Sequence, residues 1–224
     1  MQLDDFQTKG YAIAPAVLPV AACEALCKTV RQGRSISGGT RSLLSQDWCS
    51  ALARQLRGHP KIGCYLPQDA VAVQCTYFEK SVGRNWLVSV HQDLSVPVER
   101  RSVAAGYSAW SIKEGAVFVQ PPLDVLQSLV AVRLHLEPCG RDDGPLTVLP
   151  GTQTLGILTA GEAAKLRQST PMDVCTLETG GALIMKPLLL HASSKASGNS
   201  KRRVLHFLFG PRTLPSEVRW QYAV

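Results

Sequence analysis

The chain has 224 residues, of which 45% are hydrophobic and 18% are charged. This composition excludes an intrinsically disordered protein, because disordered chains combine low hydrophobicity with a high density of charge. The longest apolar runs fall well short of the roughly 20 residues that a bilayer span needs, so we expect no membrane partner. A chain of this length can bury a sizeable core on its own, which predicts one domain over residues 1–224.

The net charge is +7, from 24 lysine and arginine residues against 17 acidic residues. The basic residues are scattered, and their two clusters, at residues 100–101 and 201–203, are not interleaved with aromatic residues. Binding of single-stranded nucleic acid needs such aromatic residues, so we expect no nucleic-acid partner. Seven cysteines without a Cys-x-x-Cys pair, and an acidic start unlike a secretory signal, predict a reduced cytoplasmic protein.

Helical patterns dominate the first part of the chain, residues 1–65. A short strand is predicted at residues 11–17, and residues 19–31 have apolar side chains at helical spacing. Ser45 can cap a second helix that runs to about residue 57. Between the two helices, residues 34–40 are rich in serine and glycine, which predicts a loop.

Short strands separated by turns are typical of the remainder, residues 66–224. The best strand candidates are residues 70–78, 130–136, 146–149, 173–177, 182–185 and 204–209. One short helix is predicted at about residues 161–167. Many short strands after a helical lead indicate a mainly β fold with flanking helices, in which residues 66–224 form a jelly-roll core and residues 1–65 pack on it.

Two His-x-acid motifs are candidates for a metal site, one at His91 and Asp93 and one at His135 and Glu137. In a strand, residues i and i+2 point to the same face, so either pair can offer an imidazole and a carboxylate to one metal ion. Such a short motif occurs often by chance, and at this point both pairs remain open.

A second histidine sharpens this prediction. His191 follows the apolar segment 183–190, which we interpret as a strand that ends at His191, and Arg202 lies eleven residues further on. Two histidines and one carboxylate form the facial triad of non-haem Fe(II) oxygenases, which leaves open positions on the metal. An arginine can hold the far carboxylate of a diacid cosubstrate through its planar fork. Arg203 is the alternative to Arg202, because a shift of one residue in register exchanges their faces.

Three segments resemble the phytanoyl-CoA dioxygenase family of Fe(II)/2-oxoglutarate oxygenases: residues 78–94, 142–152 and 190–207. The opening at residues 6–15 is also similar to that family, so the resemblance covers nearly the whole chain. The resemblance implies a double-stranded β-helix, the cupin-like form of the jelly roll. It further implies Fe(II), 2-oxoglutarate and O2 as cofactors, and hydroxylation of an unactivated C–H bond with release of succinate and CO2.

The resemblance also implies roles for individual residues. The residues that match the iron ligands are His91, Asp93 and His191. The residues that match contacts to 2-oxoglutarate are Arg202, Ser193 and Thr76.

The substrate pocket is predicted less directly. Arg133 stands where relatives often carry an aromatic residue, and it can add a second cation to the pocket. His135 is expected beside it on the same strand face, and His206 on the face of Arg202. Trp110 lies in the predicted loop after the first His-x-acid motif. With the net positive charge, these residues favour a small, anionic substrate; the oligomeric state leaves no trace in the sequence.

The alternative to an oxygenase is a non-redox, cupin-like metal protein, such as an isomerase, a hydrolase or a ligand sensor. It retains the jelly roll and the metal ligands but makes no succinate.

Overall fold

The computed structural model describes residues 2–32, 39–81, 85–198 and 201–224. Most of the loop predicted at residues 34–40 lies outside the described residues, and its last two residues form a short strand. Six α-helices lie in the described residues: α1 (Gln2–Lys9), α2 (Val20–Gln32), α3 (Asp47–Gly58), α4 (Pro60–Gly63), α5 (Leu123–Ser128) and α6 (Ala160–Ser169). None of these helices has the length and apolar character needed to cross a bilayer.

The strands of the described residues, in chain order, are β1 (Tyr11–Ala14), β2 (Gly39–Thr40), β3 (Val71–Lys80), β4 (Val88–His91), β5 (Val96–Val98), β6 (Ser108–Lys113), β7 (Ala116–Gln120), β8 (Val130–His135), β9 (Leu146–Val148), β10 (Asp173–Cys175), β11 (Ala182–Met185), β12 (His191–Ser193) and β13 (Arg202–Gly210). All of the strand candidates of the sequence correspond to one of these strands.

Two antiparallel sheets form the body of the fold. The larger has the order β1-β11-β8-β13-β3-β2, and the smaller has the order β10-β9-β12-β4. A third, three-stranded sheet has the order β5-β7-β6. The strand β13 is buried along its whole length, because it pairs with β3 on one side and with β8 on the other. The fold is therefore mainly β, a double-stranded β-helix with flanking helices, as predicted.

The larger sheet has a hydrophobic core on each face. One core contains the outward side chains of β3, β8 and β13, together with buried side chains of α2 and α3. The other contains inward side chains of the larger sheet and of β9 and β10. All seven cysteines, each within the described residues, are free thiols, and the six that are buried pack as small apolar side chains.

Three sequence-based predictions about local structure are wrong. Ser45 does not cap α3, because it ends a 3₁₀ turn in which its hydroxyl donates to the carbonyl of Ser42, and Gln46 occupies the capping position. His191 begins a strand instead of ending one: β11 stops at Met185, and a turn containing Pro187 precedes β12. A proline cannot donate to a sheet ladder, which explains the interruption. The segment of Trp110 is a hairpin, β6–β7, and not a loop.

Gly180, just before β11, lies in close backbone contact with the segment that follows β1. Its carbonyl accepts from the backbone N–H groups of Val17 and Leu18, and its N–H donates to His135. Its φ is +79°, and a Cβ at this position would overlap the carbonyl oxygen of Leu18.

We expect Gly180→Ala to lower the free energy of unfolding by roughly 1–3 kcal/mol, because it combines a strained φ with a backbone clash. Urea unfolding followed by circular dichroism measures this loss. The control is Gly161→Ala in α6, where a Cβ meets nothing within 4 Å, so the change is neutral or stabilising by up to about 1 kcal/mol. Equal losses in both variants would contradict the prediction.

Candidate metal centre and cosubstrate pocket

The strand β13 sorts the charged side chains of the site by alternation. Its residues Arg202 and His206 face a cavity of about 260 Å³ between the sheets, whereas Phe207 packs in the core on the other face. Arg203 therefore points away from the cavity. It forms ion pairs with Glu79 (Nε to Oε2, 3.4 Å) and with the second acidic residue of the outer face, Glu137 (Nη1 to Oε1, 2.6 Å).

Three candidate ligands converge at one end of this cavity. The antiparallel pairing of β12 with β4 places His191 directly opposite His91. Asp93 lies just after β4, with its Oδ1 3.6 Å from Nε2 of His91 and its Oδ2 3.6 Å from Nε2 of His191. One donor atom from each of these three residues lies within 4.8 Å of the other two. Among the described residues, this is the one group of at least three histidine, cysteine or acidic side chains that could hold a metal ion.

The two imidazoles are held with their Nε2 atoms toward the centre. Nδ1 of His91 lies 2.8 Å from the carbonyl oxygen of Ser89, and Nδ1 of His191 lies 2.9 Å from that of Leu189. A carbonyl oxygen only accepts, so each Nδ1 carries the proton and each Nε2 presents its lone pair. This is the arrangement in which histidine binds a metal, with the second ring nitrogen fixed by a backbone acceptor.

Gln92, between the two candidate ligands of the motif, anchors this turn. Its side-chain amide donates to the carbonyl oxygens of Leu188 (2.7 Å) and Gly156 (2.8 Å), and its Oε1 accepts from the N–H of Leu158 (2.8 Å). The backbone N–H of Asp93 donates to the carbonyl oxygen of Pro187 (2.9 Å). These bonds tie the motif to the turn that precedes His191, so the three donors share one rigid support.

The electrostatics favour a neutral His191 and an ionised Asp93, the forms that bind a metal, whereas the proton that Asp93 stabilises on His91 must leave when a metal binds. Burial lowers the pKa of His191 to about 4, although Asp93 acts in the opposite direction. Burial raises the pKa of Asp93, but His191, His91 and His206 outweigh it and hold this pKa well below its usual range. Burial also lowers the pKa of His91, and the hydrogen bond and charge of Asp93 reverse that effect, so its net shift is upward. Neutral imidazole and ionised carboxylate are the ligand forms.

The cosubstrate end of the cavity is built around Ser193. Its hydroxyl accepts from Nζ of Lys80 (2.7 Å) and from Nη1 of Arg202 (3.2 Å), and it donates to the carbonyl oxygen of Gly144 (2.9 Å). Arg202 also donates to the Gly144 carbonyl, and its Nε has no hydrogen-bond partner in the described parts of the chain. Both cations are at most 4% exposed. The sequence prediction missed Lys80, although its i+2 spacing from Phe78 in β3 places it on the cavity face.

A row of polar side chains crosses the larger sheet beside the metal centre. Arg133 on β8, His206 on β13 and Thr76 on β3 are register partners, and all three line the cavity. The hydroxyl of Thr76 accepts from the amide of Gln74 at 2.8 Å. Arg133 Nη1 lies 2.9 Å from Nδ1 of His206.

The contact with Arg133 determines the tautomer of His206. A guanidinium has donors only, so Nδ1 of His206 accepts and its Nε2 carries the proton. That Nε2–H faces Asp93, 3.9 Å from its Oδ2. Burial, and then the positive charge of Arg133, lower the pKa of His206 to about 3, so this ring is neutral at physiological pH.

Two of the predicted pocket residues do not line the cavity. His135 is buried, and burial lowers its pKa to about 3. The strand β8 ends at His135, and beyond it Glu137 turns to the outer face, where it pairs with Arg203. The structure therefore does not bring His135 and Glu137 together as a ligand pair. Trp110 packs against the core between the sheets.

Comparison with known proteins places these observations in a family. The family model of phytanoyl-CoA dioxygenase matches residues 6–204. No curated protein sequence matches the chain.

Solved structures share the fold at low sequence identity. The epimerase SnoN, in complex with Fe³⁺, α-ketoglutarate and nogalamycin RO, is 14% identical, with a TM-score of 0.68 over 95% of this chain and 83% of that chain. HygX from Streptomyces hygroscopicus, with nickel and 2-oxoglutarate bound, is 14% identical, with a TM-score of 0.66 over 94% and 86%. EctD from S. alaskensis is 14% identical, with a TM-score of 0.69 over 95% and 78%.

The tautomer of His206 can be measured in the metal-free protein. With ¹⁵N-labelled histidine, we expect one protonated nitrogen, Nε2, and one unprotonated nitrogen, Nδ1, from about pH 5 to about pH 8, because the pKa is lowered to about 3. His206→Gln assigns the signal. Arg133→Met, which removes the donor, should release this preference. A doubly protonated His206 at neutral pH would contradict the assignment.

Proposed function

The chain belongs to the phytanoyl-CoA dioxygenase family, and from that membership we propose that it is an Fe(II)- and 2-oxoglutarate-dependent dioxygenase. In this proposal it hydroxylates an unactivated C–H bond of a small molecule and releases succinate and CO2. The observation that carries the proposal is the convergence of His91, Asp93 and His191. Two imidazoles and one carboxylate are the donor set of non-haem iron oxygenases, and three positions stay open for cosubstrate and oxygen.

His91, Asp93 and His191 would hold Fe(II) through two Nε2 atoms and a carboxylate oxygen. When bound, the iron with 2-oxoglutarate and O2 supplies an oxidant strong enough for a C–H bond. The chain's own contribution is to present the three donors from one rigid support, with His191 neutral and Asp93 ionised. Because the donors are in place before the metal arrives, little reorganisation opposes its binding.

Arg202 is the proposed partner of the distal carboxylate of 2-oxoglutarate. Its unpartnered Nε offers a hydrogen bond, and the buried ammonium of Lys80, which Ser193 holds beside Arg202, adds a second positive charge. Burial, then Arg202 and Arg133, lower the pKa of Lys80 to about 8, which an incoming carboxylate would raise again. The binding of the cosubstrate thereby relieves the repulsion between cations at this end of the cavity.

The remaining walls orient the substrate and exclude water. Phe78, Trp86, Phe118 and Leu208 line the cavity with apolar surface, and apolar walls keep bulk water from a reactive centre. The HygX structure holds 2-oxoglutarate, which supports the same cosubstrate for this chain. Related folds are described as a carbocyclase and an epimerase, so hydroxylation is a proposal for this chain and not a property of the fold.

The metal ligands are tested with two histidine variants. We expect wild-type protein with Fe(II) and 2-oxoglutarate, without oxygen, to give the weak visible charge-transfer band of their chelate. His91→Ala should abolish the band and the O2-dependent formation of succinate, because it removes one of the three proposed iron ligands. His135→Ala should retain both, since His135 does not line the cavity. The opposite pattern would reassign the site, and succinate-free turnover would favour the non-redox alternative.

The cosubstrate cation is tested with the adjacent pair Arg202 and Arg203. Arg202→Gln should weaken the binding of 2-oxoglutarate roughly tenfold to a hundredfold, the loss expected when a charged hydrogen bond worth about 1.5–3 kcal/mol is removed. Titration of the charge-transfer band measures the affinity. Arg203→Gln should leave the affinity unchanged and lower stability instead, because Arg203 pairs with Glu79 and Glu137 on the outer face. Equal losses of affinity would refute the assignment.

A further inference from the structure

The cavity holds more positive charge than the metal and cosubstrate can balance. Among its described lining residues are four cations, Arg41, Lys113, Arg133 and Arg202, and one carboxylate, that of Asp93. Fe(II) and 2-oxoglutarate carry equal and opposite charges, so their binding adds no net charge. An excess of cations therefore persists in the loaded cavity.

Two of the four cations have partners. Arg41 forms an ion pair with Glu114, at 2.7 Å, and Arg202 is assigned to the distal carboxylate of the cosubstrate. The two that remain are Arg133 and Lys113. In the described parts of the chain, no carboxylate oxygen lies within 4.0 Å of either one.

Arg133 is the more deeply buried of the two, with 6% of its surface exposed. Its contacts are neutral: Nη1 donates to His206, and the guanidinium lies 5.5 Å from the centre of the Phe78 ring. Its Nε is buried and has no hydrogen-bond partner in the described residues. A buried, unpaired charge opposes folding, and a buried donor without an acceptor adds to that penalty.

The charge is retained despite this environment. Burial, and then the neighbouring Arg202, lower the pKa of Arg133 to about 10, so the guanidinium stays ionised at neutral pH. Lys113 is half-buried; its ammonium donates to the hydroxyl of Ser95 at 2.6 Å and lies 4.8 Å from the centre of the Phe118 ring. Both cations thus face the same cavity from different sheets, and the one carboxylate among its described lining residues is that of Asp93, a candidate metal ligand.

The position of Arg133 separates it from the metal-bound end of the cosubstrate. The imidazole of His206 lies between Arg133 and Asp93, with Nδ1 toward the guanidinium and Nε2 toward the carboxylate. The imidazole therefore separates an anion bound on the other side of Arg133 from Asp93, as expected for a group of the substrate and not for a metal ligand.

We propose that the substrate carries a carboxylate, which Arg133 binds through its guanidinium, with Lys113 adding a second positive charge to the cavity. The proposal rests on the proposed function, because it treats Arg202 and the metal as occupied by 2-oxoglutarate. A carboxylate matches the planar fork of a single guanidinium in bidentate fashion. It is also small enough to share a cavity of about 260 Å³ with the cosubstrate.

The experiment uses the protein loaded with Fe(II) and 2-oxoglutarate under anaerobic conditions. The probes are two matched pairs, hexanoate with hexanamide and benzoate with benzamide, and the readout is the perturbation of the charge-transfer band. We expect each acid to bind roughly tenfold or more tightly than its amide, because only the acid pairs with a charged donor.

The variants assign that preference to Arg133. Arg133→Gln should remove the preference for acids while the affinity for 2-oxoglutarate stays within about twofold of wild type. Arg133→Lys, which keeps the charge without the fork, should retain part of the preference and serves if the glutamine variant does not fold. Arg100→Gln, which removes an exposed arginine, is the matched control and should change neither affinity.

Three results would overturn the proposal. The first is that wild-type protein binds acids and amides equally, or binds neither. The second is an unchanged preference for acids in Arg133→Gln. The third is a loss of 2-oxoglutarate affinity in Arg133→Gln as large as in Arg202→Gln, which would assign Arg133 to the cosubstrate. In each case the wild-type charge-transfer band is intact, so the proposed function survives. A wild-type protein without that band removes the proposed function and this inference together.

Discussion

The pairing of β13 with β3 and β8 is the constraint on which the site depends. Side chains alternate along a strand, and a one-residue slip would exchange the two faces of every residue. In the observed register, Arg202 and His206 face the cavity, whereas Arg203 and Phe207 face the outer side of the sheet. Because β13 is buried on both faces, a slip by one residue would turn Arg202 and His206 toward an apolar core. The same physics that stabilises the sheet therefore also positions the cations of the pocket.

The candidate metal centre follows from a second pairing, that of β12 with β4. It brings His91 and His191, exactly one hundred positions apart in sequence, into direct register across two short strands. Backbone carbonyls orient both rings, and Gln92 ties their supporting turns together. The donors are therefore held by the fold itself, which is the condition for a metal site that is organised before the metal binds.

Buried positive charge connects the two ends of the cavity. Lys80 and Arg202 share the hydroxyl of Ser193, and Arg133 contacts only neutral groups. Such charges oppose folding unless a counter-charge arrives, so carboxylates bound as we propose would both fill the pocket and stabilise the folded chain. The proposals for cosubstrate and substrate share this cause. They differ in the guanidinium involved, which is why single substitutions can separate them.

The sequence by itself determined the mainly β fold and the helical lead, because alternation and helical spacing are local patterns that survive in one dimension. It offered His91 with Asp93 as one of two candidate pairs, and the resemblance to the family favoured that pair together with His191. It did not determine β4 and β12, whose three or four residues are too short for a periodicity to be recognised. Nor could it separate Arg202 from Arg203, or reject His135 with Glu137. Those choices depend on register and on where a strand ends, and only the packing of distant segments against one another decides both.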